Sequence, residues 1–357
     1  MSIFKKDKVN PIIEITKNVK NTLIKSDKTR SKIECDVSKW MEEKWDSIKD
    51  KQMHTLIIPG THDSGSYSCD FNLGVAPFGP KIIQKKYISY CCQKTILSWT
   101  HTQKYSILQQ MESGARYLDM RVCVSVIDDE IRTEHSIYGT TYKDLLKQVR
   151  TFIENTQKEF VVLNFRHFGK ETYYGMSPVD HTNFVNMIQE ELGSYLVLKE
   201  EFHNTLEELL SSNHRVFAIY NEEYVAKKYK NLLLGKSIWN PWTDTHTPIE
   251  LINTLKEYAT TFDSMKEPIF FSMQSCITPN KKIILEFISK RLCGSYCSKK
   301  YEHVPSSLVQ VAMEANNALY KWIKKEISTG DIDIYNIVAF DWIYLYPDLV
   351  LYLINLN

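Results

Sequence analysis

The sequence predicts an eight-stranded α/β barrel preceded by a helical extension, and three observations carry that expectation. From residue 55 onward, short apolar runs alternate with helix-like stretches, the pattern of a parallel sheet whose strands are joined by helices. Almost every apolar run ends in a polar or charged group, as expected where the loops after the strands build a site. At 357 residues the chain is long enough for one barrel, commonly about 250 residues, with additions.

Residues 1–35 read as a basic extension, separate from a barrel at 36–357. Between Lys5 and Lys32 the positive residues far outnumber Asp7, Glu14 and Asp27. After Pro11, the positions Ile12, Ile15, Val19 and Leu23 mark one helical face, with Lys17, Lys20 and Lys25 off it. Such a segment is expected to pack on its own domain; the other reading is a helix on an anionic membrane surface. A second helix follows Asp36, with Trp40, Trp45 and Ile48 on one side.

The barrel strands are expected at Leu56–Ile58, Tyr117–Val124, Phe160–Phe165, Arg215–Tyr220, Ile269–Met273 and Ile334–Phe340. Weaker runs near Ile131–Tyr138 and Lys236–Trp239 bring the number to eight. Helices are expected at Thr141–Glu154, Val179–Leu192, Pro248–Thr261, Lys281–Leu292 and Ser306–Ile327. No internal repeat or low-complexity linker divides the barrel region.

Lys and Arg number 44 against 43 Asp and Glu, so the field of the whole chain gives no argument for nucleic acid. No run approaches the ~18 apolar residues of a membrane span. The charged start lacks a secretory h-region. Ser2 stands where myristoylation needs glycine, and Ile354-Asn355-Leu356-Asn357 is no prenylation box. The eight cysteines are scattered. Cys293 and Cys297 lack a second pair at zinc-ligand spacing. A reduced, cytoplasmic protein is the expectation.

The sharpest motif is Ile57-Ile58-Pro59-Gly60-Thr61-His62-Asp63-Ser64-Gly65, an apolar strand running into a Pro-Gly turn that delivers His62 and Asp63 at a strand end. In the next strand, Tyr117-Leu118-Asp119-Met120-Arg121-Val122, residues two apart share a face, so Asp119 and Arg121 point the same way. Charges on an inner barrel face are costly without partners. They form either an internal ion pair or an arginine aimed at an anionic substrate, whose phosphate oxygens a planar guanidinium matches. Glu134-His135-Ser136 places a second histidine at a third strand end, Val161-Val162-Leu163-Asn164-Phe165 ends in Arg166, and Ile337-Val338-Ala339-Phe340 ends in Asp341. Each alone is more often structural than catalytic; together they form a set suited to phosphoryl chemistry.

The first motif closely resembles that of the phosphatidylinositol-specific phospholipase C X domain, in its single-domain form. The resemblance continues through Trp99-Thr100-His101-Thr102-Gln103, Tyr117-Leu118-Asp119-Met120-Arg121-Val122, His135 with Tyr138-Gly139, Val161–Phe165 and Phe340-Asp341-Trp342, spanning about residues 36 to 345. It implies a distorted TIM-type (β/α)8 barrel. It implies His62 as general base, oriented by Asp341, and His135 as general acid, positioned by Asp63. Arg121, held by Asp119, would neutralise the phosphoryl oxygens, and Arg166 would contact inositol. Trp242 and Asp244 lie about where the family's ring contacts occur. The chain departs from the family pattern at Ser136, where glycine is frequent.

The calcium-dependent members carry acids on the Arg121 strand and near Arg166; guanidiniums there are poor ligands, so the resemblance implies no metal cofactor. The implied partner is a phosphatidylinositol lipid at a membrane surface, met transiently from the cytoplasm. Tyr67, Phe71 and Phe78 are rim aromatics suited equally to lipid contact and to packing. Barrel phosphodiesterases of the glycerophosphodiesterase or sphingomyelinase D type need a magnesium-binding acid cluster, which Arg121 interrupts. A catalytically silent phosphoinositide-binding module on the same fold is the alternative, and a pure binder has no need of a base paired to an acid.

Overall fold

The computed structural model describes residues 36–76, 79, 83–84, 86–171, 175–279, 283, 286, 304–327 and 336–357. The basic extension at 1–35, most of the helix expected at Lys281–Leu292, the Cys293/Cys297 pair and Phe78 lie outside the described residues.

Among the described residues, ten strands form the sheet. They are β1 Ile58–Thr61, β2 Tyr117–Val124, β3 Ile131–Glu134, β4 Tyr138–Thr141, β5 Val161–Gly169, β6 Val216–Tyr220, β7 Leu233–Leu234, β8 Ile238–Trp239, β9 Phe270–Gln274 and β10 Ile337–Phe340. Eight of them run in the order β7-β6-β5-β2-β1-β10-β9-β8, and every neighbouring pair along that path is parallel. Chain order therefore follows the barrel round, and β10 returns to pair with β1. The two strands at the ends of the path, β7 and β8, have two residues each, and no ladder joins them among the described residues. The result is a curled, open (β/α)8 barrel of the distorted TIM type.

Its staves are buried on both faces because they are covered on both. Val216–Tyr220 is buried throughout, as are Phe270–Gln274 and Ile337–Phe340. The helix Tyr142–Glu154 starts at Thr141, whose side chain accepts from the Asp144 N–H, and it buries Leu145, Leu146, Val149, Phe152 and Ile153. Helices Pro178–Leu192 and Pro248–Met265 begin with a capping box and proline in the first turn, which stops each helix from extending backward. Among the described residues, no helix is long and apolar enough to cross a membrane.

Three strand expectations are corrected. Pro59 and Gly60 lie inside β1 rather than in a turn after it. Gly60 is required there by close approach, since a Cβ would meet Tyr117 Cδ1 of β2 at 2.8 Å. The turn comes at Asp63, with φ of 44°. Secondly, the run Ile131–Tyr138 is not a barrel stave: it splits into the antiparallel strands β3 and β4, and β3 pairs with the extension of β2. His135 thus stands in a hairpin turn beside the barrel mouth rather than at a third stave's end. Thirdly, β7 lies at residues where no strand was expected.

At the opposite, N-terminal end of β2, Arg116 is fully buried. Its Nε donates to Glu159 Oε2 at 2.7 Å, Nη1 to the carbonyls of Met111 and Ala115, and Nη2 to that of Ser38. The guanidinium lies over the rings of Phe152 and Trp40. This pair ties the segment that begins at Asp36 to the barrel floor, where such interactions serve stability.

Candidate active site

The strand ends of β1, β2, β5 and β10 converge on one cluster of charges. His62 follows β1, and Asp341 follows β10, the strand paired with it. His62 Nδ1 lies 2.8 Å from Asp341 Oδ1, and its Nε2 lies 3.2 Å from Arg121 Nη2. A carboxylate can only accept and a guanidinium can only donate. The imidazole is therefore fixed with its proton on Nδ1 and its lone pair on Nε2, the form of a poised base.

Gln103 holds the two strand ends in register. Its Nε2 donates to the carbonyls of His62 (3.2 Å) and Phe340 (2.9 Å), and its Oε1 accepts from the Ile343 N–H. Thr102 adds bonds from Oγ1 to the carbonyls of His62 and Asp63. The motif Trp99–Gln103 thus acts as a clamp on the base, a role that sequence reasoning did not assign.

The arginines are neutralised crosswise. Arg121 and Arg166 face each other in register on β2 and β5, and like charges so placed repel. Buried Asp119 takes Arg166, with Nε 2.7 Å from Oδ1, while Arg121 Nη1 lies 3.4 Å from Oδ2 of buried Asp63. Asp119 was expected to hold Arg121; Arg166 is its stronger partner. Burial opposes ionisation of Asp119, but Arg166, His62, Arg121 and the Asp63 N–H together hold its carboxyl below the ordinary range.

His135 reaches the cluster from the hairpin, with Nδ1 2.5 Å from the Thr100 carbonyl and 3.5 Å from Asp63 Oδ2. A carbonyl accepts only, so Nδ1 carries a proton, and an acid proton has to sit on Nε2 of the imidazolium. Burial pushes that imidazolium's pKa down; the Asp63 charge pulls it up, and Arg121 pushes it down again. Neither Asp63 oxygen makes a hydrogen bond among the described residues. Catalytic contacts of this kind are often loose without substrate. Ser136, after His135, has φ of 65°, the left-handed region that glycine adopts without strain. That backbone suits the glycine that the resemblance leads one to expect there.

Asp63→Asn removes the group that raises His135. In a reaction that takes its acid proton from His135, that proton is then lost at lower pH, so the alkaline limb of the pH–rate profile moves toward acid. A kcat/KM profile measured for both chains checks this, and an unmoved limb assigns that proton elsewhere.

Trp242, in the loop after β8, is 37% exposed and its ring centroid lies 5.1 Å from that of His62. Asp244 is exposed two residues on, and no described hydrogen bond or ion pair ties it to the cluster. Tyr67 and Phe71 are half-buried, and the Tyr67 hydroxyl accepts from Gln148, which favours packing. Two further groups escaped the sequence reading. Glu134 is buried, and its carboxyl is raised to about 7, first by burial, with Arg121 opposing and Asp63 adding to the rise. Cys276, just past β9, places Sγ 3.5 Å from Asp341 Oδ1. An acid closing the strand β3 was the available signal for Glu134; Cys276 offered none.

Comparison with known proteins follows the same lines. The PI-PLC X domain-containing protein 3 of Mus musculus is 26% identical over 336 residues, spanning 92% of this chain and 96% of that protein. The PI-PLC X domain-containing protein 2 of Homo sapiens is 29% identical over 276 residues, or 76% of this chain and 88% of that protein. Over most of its length the chain is similar to the PI-PLC X domain-containing proteins. No protein-family model matches it. Among solved structures, the phosphatidylinositol-specific phospholipase C from Listeria monocytogenes superposes with a TM-score of 0.61 at 15% identity. It covers 90% of this chain and 98% of that one. An enzyme of the same description from S. aureus gives 0.60, also at 15% identity. At such identity the likeness establishes the PI-PLC barrel fold.

Proposed function

We propose that this chain is a PI-PLC X-domain protein and a metal-independent phosphatidylinositol-specific phospholipase C. The observation that carries the reading is His62 held between Asp341 on Nδ1 and Arg121 on Nε2. A base is thereby oriented on one side and set against a fixed cation on the other, where an attacking hydroxyl and a phosphoryl oxygen would meet.

In the proposed reaction His62 Nε2 takes the proton of the inositol 2-hydroxyl. That oxygen attacks the adjacent phosphorus, and the bond from phosphorus to the diacylglycerol oxygen breaks. His135 Nε2–H protonates the leaving oxygen, giving diacylglycerol and an inositol cyclic phosphate. Asp341 stabilises the imidazolium that forms on His62, as a buried acid does for any such base. Arg121 meets the charge that grows on the phosphoryl oxygens. Asp119 fixes Arg166 as an inositol contact, and Trp242 offers a ring face at the rim. The built-in guanidiniums supply the positive charge that a divalent cation supplies elsewhere.

The lipid headgroup tests the substrate class. Vesicles of phosphatidylinositol are expected to release water-soluble inositol phosphate, and vesicles of phosphatidylcholine no phosphocholine. Phosphatidylinositol vesicles that are bound but never cleaved would support the silent binding module instead.

A further inference from the structure

The thiol of Cys276 has no part in that mechanism, yet it lies against the catalytic pair. One ligand atom each from His62, Cys276 and Asp341 falls within 4.8 Å of the others, and all three residues are buried. Sγ to Asp341 Oδ1 is 3.5 Å, and His62 Nδ1 to the same oxygen is 2.8 Å. Zinc bonds of about 2.0–2.3 Å in a tetrahedron separate their ligand atoms by roughly 3.3–3.8 Å. The sulfur–oxygen distance already fits, the nitrogen–oxygen distance has to open by about half an ångström, and sulfur and nitrogen, within 4.8 Å of each other, have to close toward about 3.5 Å.

We propose that His62, Cys276 and Asp341 form an inhibitory site for a thiophilic divalent cation of the zinc class. The mixed nitrogen, sulfur and oxygen donor set suits zinc and is wrong for calcium or magnesium, which take oxygen. Three protein ligands leave a fourth position for water. Arg121 acts on this side of the imidazole too, but the Asp341 and Asp119 charges act on the Cys276 thiol more strongly. Arg121 faces Nε2, whereas the metal side holds the Asp341 carboxylate and, once bound, the thiolate.

Binding is balanced by one proton. The thiol proton leaves to solvent, and the imidazole proton moves from Nδ1 to Nε2 as Nδ1 takes the metal. Nε2 then carries a proton, 4.0 Å from Asp119 Oδ2; it gives up the hydrogen bond from Arg121 Nη2 and can no longer accept a proton from substrate. Because a proton is released, affinity rises with pH.

The inhibition arm rests on the function proposed above; the binding arm does not. Purified chain is stripped with EDTA, exchanged into buffer and titrated with Co2+, then with Zn2+ as competitor. The expected result is a thiolate-to-cobalt absorption band in wild type that Zn2+ displaces and that Cys276→Ser and Cys276→Ala both lack. Zn2+ is expected to raise the melting temperature of wild type and not that of either variant. In parallel, the ratio of phosphatidylinositol turnover with and without buffered Zn2+ is expected to fall at least tenfold in wild type and to stay near one in any variant that turns over. A band that survives both substitutions overturns the site, as does wild-type turnover that Zn2+ leaves intact. Absence of turnover in metal-free buffer counts against the proposed function, while the spectra still decide the site.

Discussion

Replacing His62 with glutamine is expected to lower phosphatidylinositol turnover by about 10²–10⁴-fold while leaving the chain folded. Glutamine keeps a donor for Asp341 and roughly the volume of the imidazole, so the end of β1 stays clamped by Gln103. What it lacks is a nitrogen with a lone pair free to take the proton. Steady-state release of inositol phosphate checks the loss, and a melting curve close to that of wild type shows that it is chemical. A variant with more than a tenth of the wild-type rate would remove His62 from the role of base.

The second large effect concerns stability. Arg116→Met leaves Glu159 buried without its cation. Removing one partner of a buried ion pair costs about 3–5 kcal/mol. Burial already lifts the Glu159 carboxyl, with the Arg116 charge as the main force holding it down. Glu159 also accepts from the Glu42 N–H, so the damage extends to the segment packed under the barrel. Scaled to the roughly 280 described residues, a loss of this size corresponds to a melting temperature lower by about 7 °C. Arg116→Met with Glu159→Leu is expected to recover much of the loss, because two apolar groups leave no stranded charge. A single variant within 1 kcal/mol of wild type would show that water or a rearranged carbonyl takes the place of the guanidinium.

Much of this site was legible because parallel barrels place chemistry at strand ends. The expected bounds of β2 are those observed, and His62, Asp341, Arg121, Arg166 and Trp242 all fall in one cluster. The pairing of charges was less legible. Strand alternation puts Asp119 and Arg121 on one face, but it does not say that Asp119 reaches diagonally to Arg166. That follows from the register of β2 on β5, which a single sequence does not carry. The hairpin around His135 was hidden for a different reason. Its turn holds Ser136 in a left-handed conformation without the glycine or asparagine that usually marks one, so Ile131–Tyr138 read as a single run. The strand β7, two residues long, is too short for any periodicity. Cys276 gave no signal by itself, because a single cysteine after an apolar run is usually a small core residue.

The measurement that bears most directly on the whole account is turnover of phosphatidylinositol vesicles by the wild-type chain in excess EDTA. Release of inositol phosphate under those conditions is the predicted result, since Arg121 and Arg166 supply the positive charge of the site from within the chain. No release in EDTA, restored by calcium or magnesium, would contradict it and transfer that charge to a bound cation.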